Sequence, residues 1–145
     1  MDRLLEKAME IINRSDFFRR RFAGQTFTDF SDIPFSTKKD LLADQEEFPP
    51  FGRNLSVERN RLRRLHRTSG TSMKPYLIAL TEQDIHQIIL AGARAFSTAG
   101  MGPGDIVFNC MNYCMWMGGF TDQQSMEAAG ATAVPYGVGN TENLI

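Results

Sequence analysis

The fold class is decided by the stretch Tyr76-Leu77-Ile78-Ala79-Leu80-Thr81-Glu82-Gln83-Asp84-Ile85. It opens with a short apolar run, which predicts a strand. Thr81 and Asp84 then have the spacing of a capping box, which marks the start of a helix. Apolar residues at helical spacing continue to Phe96, and the glycines and proline of residues 100–104 end the helix. The stretch is therefore a strand that passes directly into a helix.

The same alternation extends in both directions from this stretch. Residues 61–66 predict a strand, and a polar loop separates it from the strand at 76–80. Further along, the sequence predicts a buried strand at 105–111, a helix that follows Gly118-Gly119 and runs to about residue 129, and a short strand at 131–135. Alternating strands and helices favour an α/β fold in which helices pack on a mostly parallel sheet.

The N-terminal part is helical. Residues 3–22 carry apolar side chains at helical spacing and predict one amphipathic helix. A capping box at Thr37 opens a short helix to about residue 46, and Pro49, Pro50 and Gly52 then break the chain. We therefore divide residues 1–145 into a helical lead-in at 1–50 and an α/β part at 51–145, which contains the polar loop at 67–75.

Composition and charge exclude several classes of protein. The net charge of −1 argues against a general nucleic-acid binder, although six arginines lie between residues 53 and 67. We interpret that run as a solvated face or a contact with further sequence. No apolar run approaches the ~18 residues of a membrane-spanning helix. With no secretory signal and two cysteines, Cys110 and Cys114, we expect a cytoplasmic protein with neither a disulfide framework nor a zinc site.

The basic residues are distributed unevenly. All sixteen Lys and Arg lie at or before Arg94, so we expect residues 95–145 to be mostly buried. The last residues resemble the first turn of a helix, and one turn cannot stabilise itself. We therefore expect the chain to be the front part of a longer protein, with exposed apolar surface that favours self-association, for example as a homodimer.

The chemistry is concentrated in the loop at 67–75. Four hydroxyl residues, one glycine and one lysine lie there between two predicted strands. Exposed N–H groups, hydroxyls and a lysine suit phosphate oxygens, although a Ser/Thr-rich turn has the same composition. The loop lacks the second glycine and the Lys-Ser/Thr pair of a Walker A motif. His66, just before the loop, is either structural or a phosphate contact, and His86 is expected to be solvated.

At this point the sequence resembles the adenylate-forming enzymes, and within them the phenylacetate–CoA ligase-like family. The loop resembles their phosphate loop. Five further segments match that family in register, so that the resemblance covers about residues 30–145: they are 33–41, 80–85, 99–106, 109–119, and 130–135 together with 139–142. The fold this implies is the N-terminal portion of the family's large domain.

The resemblance also implies a reaction and the residues that serve it. The full-length protein would join a carboxylic acid, such as the aryl acid phenylacetate, to CoA through an acyl-adenylate, with ATP and Mg²⁺. The phosphate cradle would consist of Thr68, Ser69, Gly70, Thr71, Ser72 and Lys74. The residues near the acyl pocket would be Tyr113, Met115, Trp116, Gly118 and Gly119. The remaining catalytic residues would lie downstream of residue 145, so we expect the isolated chain to be inactive.

Two positions depart from the family pattern. Met73 replaces a glycine in the phosphate loop. Cys114 replaces a glycine in the segment at 109–119, which we call the acyl segment because in the family it borders the acyl substrate. Two alternatives to the CoA ligase therefore stay open. One is an acyl-adenylating enzyme that uses an acceptor other than CoA, such as a carrier protein. The other is a non-catalytic nucleotide-binding module.

Overall fold

The computed structural model describes residues 3–69, 74–139 and 142. The chain divides into two compact units. The first consists of residues 1–60 and 70–77, and the second of residues 61–69 and 78–145. Met73 and three residues of the predicted phosphate cradle, Gly70, Thr71 and Ser72, lie outside the described residues.

The first unit begins with two helices, α1 (Arg3–Arg14) and α2 (Asp16–Arg21). The prediction of one continuous helix over 3–22 is therefore wrong. Ser15 interrupts it with extended backbone, and its side chain accepts a hydrogen bond from the Phe18 N–H at 3.4 Å as the N-cap of α2. The buried Ser15 hydroxyl also donates to Asn54 at 3.0 Å. This cap replaces the helical hydrogen bonds lost at the break.

The rest of the first unit contains a 3-10 helix (Phe30–Asp32) and α3 (Lys38–Glu47). The capping box at Thr37 is confirmed, because its hydroxyl accepts from the Asp40 N–H while the Asp40 carboxylate accepts from the Thr37 N–H. The helix ends before Pro49, Pro50 and Gly52, as the sequence predicted, and the Pro49-Pro50 peptide bond is cis.

The second unit alternates strands and helices. Its elements are β1 (Leu62–Arg67), β2 (Leu77–Thr81), of which the first residue belongs to the first unit, α4 (Glu82–Thr98), β3 (Ile106–Phe108), α5 (Met117–Ala128) and β4 (Thr132–Val134). β1 pairs with β2, and β3 pairs with β4 in parallel, with Ile106 opposite Thr132 and Phe108 opposite Val134. The α/β class with parallel strands is confirmed, as two two-stranded sheets within the described ranges.

The junctions of the second unit follow local sequence signals, with one shift. The capping box at Thr81 starts α4 as predicted. Gly118 and Gly119 were expected to precede a helix, but they lie in the first turn of α5, which begins at Met117. The N-cap of α5 is Trp116, which makes no side-chain capping bond, so no capping signal marked that start.

The expected burial of the C-terminal part is wrong for residues 95–139. Ile106 is 68% exposed and Phe108 is 50% exposed, although β3 was predicted to be buried. In that range the buried side chains are few and mostly small or polar: Asn109, Thr121, Ser125 and Ala131. β3 and β4 are three residues long, and each pairs only with the other in the described chain. Much of the surface of both strands is therefore exposed. A shortage of cations therefore did not indicate burial here.

None of the helices in the described ranges combines the length and the apolar character needed to cross a bilayer.

Candidate functional site

β1 and β2 hold the two ends of the predicted phosphate loop. Thr68 and Ser69 follow directly after β1 in the second unit, with Thr68 half-buried and Ser69 exposed. Lys74 lies three residues before β2, in the first unit. The structure thus confirms that the loop connects two strands, as the sequence predicted.

Lys74 forms an exposed ion pair. Its Nζ lies 2.6 Å from Oε1 of Glu46 on α3, and the two side chains are 77% and 54% exposed. A pocket of about 300 Å³ lies beside the pair, and Lys39 and Leu42 also line it. Exposed ion pairs contribute ~1 kcal/mol or less, so breaking the pair between Lys74 and Glu46 costs little.

The five predicted pocket residues lie on the stretch from residue 113 to residue 119, which follows β3 and runs into the first turn of α5. Met115 has a φ of +58°, in the left-handed region that non-glycine residues rarely adopt. Its carbonyl accepts a hydrogen bond from the Arg67 N–H at 2.9 Å and lies 3.3 Å from Nδ1 of His66. The left-handed turn therefore joins this segment to the last residues of β1, just before Thr68.

Tyr113 is fixed within the segment by two contacts with α5. Its hydroxyl donates to Gln123 at 2.9 Å, and its ring meets the ring of Phe120 edge-on, with 5.5 Å between centroids. Burial raises the pKa of Tyr113, so the hydroxyl stays protonated at neutral pH. Met115 and Trp116 are 43% and 37% exposed, and both can be reached by a ligand.

The two glycines of the segment differ in their surroundings. A Cβ on Gly119 would lie 2.7 Å from the Asn112 carbonyl oxygen and 2.9 Å from Cα of Tyr113, both backbone atoms. A Cβ on Gly118 would lie 2.8 Å from the end of the Met111 side chain, which can move. Of these two positions, position 119 requires glycine because backbone atoms approach it closely, and position 118 does not.

Asn109 organises the segment, and sequence reasoning missed this role. Its side chain is 1% exposed, its amide donates to the Gly119 carbonyl at 2.8 Å, and its Oδ1 accepts from the Met111 N–H at 3.1 Å. The available signal was a polar residue within the strand predicted at 105–111, in a segment that resembles the family.

Two side chains of β1 contact this region, the buried His66 and the half-buried Arg64. His66 is 2% exposed, and Arg64 places its guanidinium 5.3 Å from the ring centroid of Phe120. Within the described ranges, Nε2 of His66 and Nη1 of Arg64 are buried without a hydrogen-bond partner. The imidazole of His66 contacts the carbonyl of Met115. His86, in contrast, is exposed and lies on α4.

The burial of His66 predicts a pH-dependent stability. Burial, aided by the nearby Arg64 charge, lowers the pKa of His66 below 6.5. The unfolded chain then binds the proton more readily, so the free energy of unfolding falls as the pH drops below about 6.5. The lowered pKa values of Asp16, Asp29 and Asp40 act at more acidic pH.

Urea unfolding followed by Trp116 fluorescence between about pH 7 and pH 5.5 tests this expectation, and His66→Asn should flatten the slope. An equally steep slope in the variant would assign the pH dependence to another group.

The two cysteines are free and exposed. The Cys114 N–H donates to Oδ1 of Asn112 at 2.8 Å, so the backbone at this departure from the family pattern is held by an Asx turn. Within the described ranges, no three His, Cys, Asp or Glu side chains lie close enough together to hold a metal ion.

Solved structures that resemble this chain include those of an acyl-CoA ligase. An open conformation of 2-hydroxyisobutyryl-CoA ligase, in complex with 2-HIB-AMP and CoA, superposes with a TM-score of 0.82 at 27% identity, over 94% of this chain and 33% of that chain. The thioesterification state of the same ligase gives 0.76 at 28% identity, over 93% and 32%. The fold is therefore that of the N-terminal part of the large domain of adenylate-forming ligases.

Curated relatives narrow the class. Phenylacetate-coenzyme A ligase from Thermus thermophilus is 32% identical over 99% of this chain and 33% of its own length. The corresponding enzyme from Escherichia coli is 33% identical over 86% of this chain and 29% of its own length. The chain is thus homologous to a portion of these phenylacetate-coenzyme A ligases, and it spans about a third of their length. No family model matches the chain.

Proposed function

We propose that this chain is the phosphate-binding and acyl-binding part of an ATP-dependent, AMP-forming carboxylate–CoA ligase. The observation that carries the proposal is the junction at Met115, because it joins the acyl segment to the strand that leads into the phosphate loop. The relatives and the superposed ligases support the same reaction class.

In the first half-reaction, the substrate carboxylate attacks the α-phosphate of ATP, and pyrophosphate leaves. Negative charge builds on the β- and γ-phosphates, and hydrogen-bond donors and cations that bind these groups lower the barrier. In our proposal these donors are the N–H and hydroxyl groups of Thr68, Ser69, Gly70, Thr71 and Ser72 together with the Lys74 ammonium. CoA thiol then attacks the acyl carbon, and AMP leaves.

The proposed acyl pocket suits an aryl acid. Tyr113 and Trp116 offer flat aromatic surfaces, and the resemblance places Gly118 and Gly119 beside them. Met115 is flexible and also fits aliphatic groups, so a panel of acids is needed to identify the substrate. Mg²⁺, when bound with ATP, would add charge neutralisation at the phosphates.

We further propose that the protein is cytoplasmic and acts on small molecules, with no nucleic-acid or membrane partner. The exposed apolar side chains of Ile106 and Phe108 are consistent with a homodimer.

The proposal is tested on the native-length product from the source cells. We expect ATP–pyrophosphate exchange that depends on an added carboxylic acid, and AMP release that depends on CoA. Exchange without CoA-dependent release would indicate another acceptor. Nucleotide binding without exchange would indicate a non-catalytic module and overturn the proposal. The 145-residue chain alone should show no acid-dependent exchange.

Lys74→Ala provides a residue-level test. In the native-length protein we expect exchange to fall by about 10²-fold, the usual effect of losing one group that stabilises the leaving charge. Stability should change by ~1 kcal/mol or less, because the Glu46 pair is exposed. Lys39→Ala, in the same pocket, is the matched control and should leave exchange within about twofold. Equal losses in both variants would contradict a specific role for Lys74.

A further inference from the structure

The hydrogen bond between His66 and Met115 determines where the proton of the imidazole lies. A carbonyl oxygen only accepts, so Nδ1 of His66 must be the donor to the Met115 carbonyl at 3.3 Å. Nε2 is buried and has no partner in the described part of the chain. A second proton on Nε2 would therefore be an unsatisfied buried donor beside the Arg64 charge. The neutral imidazole with its proton on Nδ1 makes the hydrogen bond to Met115 and leaves no buried donor of its own without a partner.

The Met115 turn needs such a tether. Met115 adopts φ +58° without the conformational freedom of glycine, so this turn must be held by its surroundings. Two donors meet at its carbonyl: the Arg67 N–H and the His66 ring. Both come from the last two residues of β1, and Thr68 follows at once.

We propose that His66 is a positioning residue, whose Nδ1–H holds the left-handed turn at Met115 and thereby sets the acyl segment against the start of the phosphate loop. Burial of the ring lowers the pKa of His66, which keeps this single-donor form at neutral pH. The catalytic consequence rests on the proposed function, whereas the tether itself does not.

The tether is tested in this 145-residue chain by the tautomer of His66. We expect two-bond ¹H–¹⁵N correlation spectra at pH 7 to show a protonated Nδ1 and an unprotonated Nε2. The chain has two histidines, and His86→Gln removes the other signal and leaves His66 assigned. A proton on Nε2 with Nδ1 unprotonated would overturn the inference.

Two substitutions test the positioning role in the native-length protein. The side-chain nitrogen of His66→Asn occupies the place of Nδ1 and can still donate to Met115, whereas that of His66→Gln extends toward the place of Nε2. We expect His66→Gln to raise KM for the acid by about tenfold, the effect of one lost hydrogen bond, with KM for CoA unchanged. His66→Asn should stay within about twofold.

The outcomes separate the two proposals. Equal KM values for the acid in folded His66→Gln and wild-type protein would overturn the positioning role. If His66→Gln does not fold, an Asn variant with a raised KM for the acid would overturn it as well. If wild-type protein shows no acid-dependent exchange, the proposed function fails, and the tautomer still decides whether His66 holds Met115.

Discussion

Gly119→Ala should lower the free energy of unfolding by about 3 kcal/mol, at the upper end of what overpacking costs. Gly119 is buried in the first turn of α5, and an added Cβ would lie 2.7 Å from the Asn112 carbonyl oxygen. It would also lie 2.9 Å from Cα of Tyr113. These neighbours are backbone atoms, so no change of rotamer relieves the contact. The helix must shift away from the segment instead.

Gly118→Ala is the matched control for this prediction. It lies in the same helical turn, but its Cβ would meet the end of the Met111 side chain, which can rotate away. Alanine also favours helix over glycine by up to about 1 kcal/mol, so we expect unchanged or higher stability. Urea unfolding followed by the fluorescence of Trp116, the single tryptophan, measures both variants. Similar stabilities of the two variants would show that the backbone at Asn112 and Tyr113 moves to accommodate the methyl group added at position 119.

The parts of the fold that depend on neighbouring residues could be predicted from the sequence. The capping boxes at Thr37 and Thr81 each place a hydroxyl and a carboxylate three residues apart, and both helices begin where these boxes stand. The parallel pairing of β3 and β4 follows from the helix between them, since a parallel connection requires a crossover.

Features that depend on distant residues could not be predicted. The break at Ser15 is stabilised by Asn54, which lies 39 positions further along the chain. Apolar periodicity continues across that break, so the pattern alone indicated one helix. The exposure of Ile106 depends likewise on which elements pack against β3, and a short apolar run in the sequence does not indicate them.

The candidate site divides in the same way. The residues of the acyl segment could be proposed together because they are contiguous in sequence. The junction that orients them could not, because it uses the backbone carbonyl of Met115, and no residue type signals such an acceptor. His66 drew attention as a histidine beside a loop, but its partner lies 49 positions away. Long-range hydrogen bonds to the backbone are therefore where the structure added most.

Asn109→Ala should be about as destabilising as the substitution at Gly119. It removes the donor to the Gly119 carbonyl at 2.8 Å and the acceptor for the Met111 N–H at 3.1 Å. The Asn109 side chain is 1% exposed, so water does not readily replace both bonds. Each unsatisfied buried group costs about 1–3 kcal/mol, and we expect a loss of about 3 kcal/mol in urea unfolding.

Asn112→Ala is the control, because the Asn112 side chain also accepts a hydrogen bond from a backbone N–H, but at a position that solvent can reach. Its Oδ1 accepts from the Cys114 N–H at 2.8 Å, where water can replace it, so the loss should be about 1 kcal/mol or less. Comparable losses at the two asparagines would contradict the special role of the buried one.

Asn109→Asp distinguishes the contributions of the two hydrogen bonds that the Asn109 side chain makes, to Gly119 and to Met111. The carboxylate still accepts from the Met111 N–H, but its second oxygen then faces the Gly119 carbonyl with no proton between them. Repulsion and burial raise the pKa of the new carboxyl, and the protonated form can again donate to Gly119. The variant should therefore be at least as unstable as Asn109→Ala at pH 7, and should regain stability relative to it as the pH falls. A difference that does not change with pH would show that the carboxyl has turned away from Gly119.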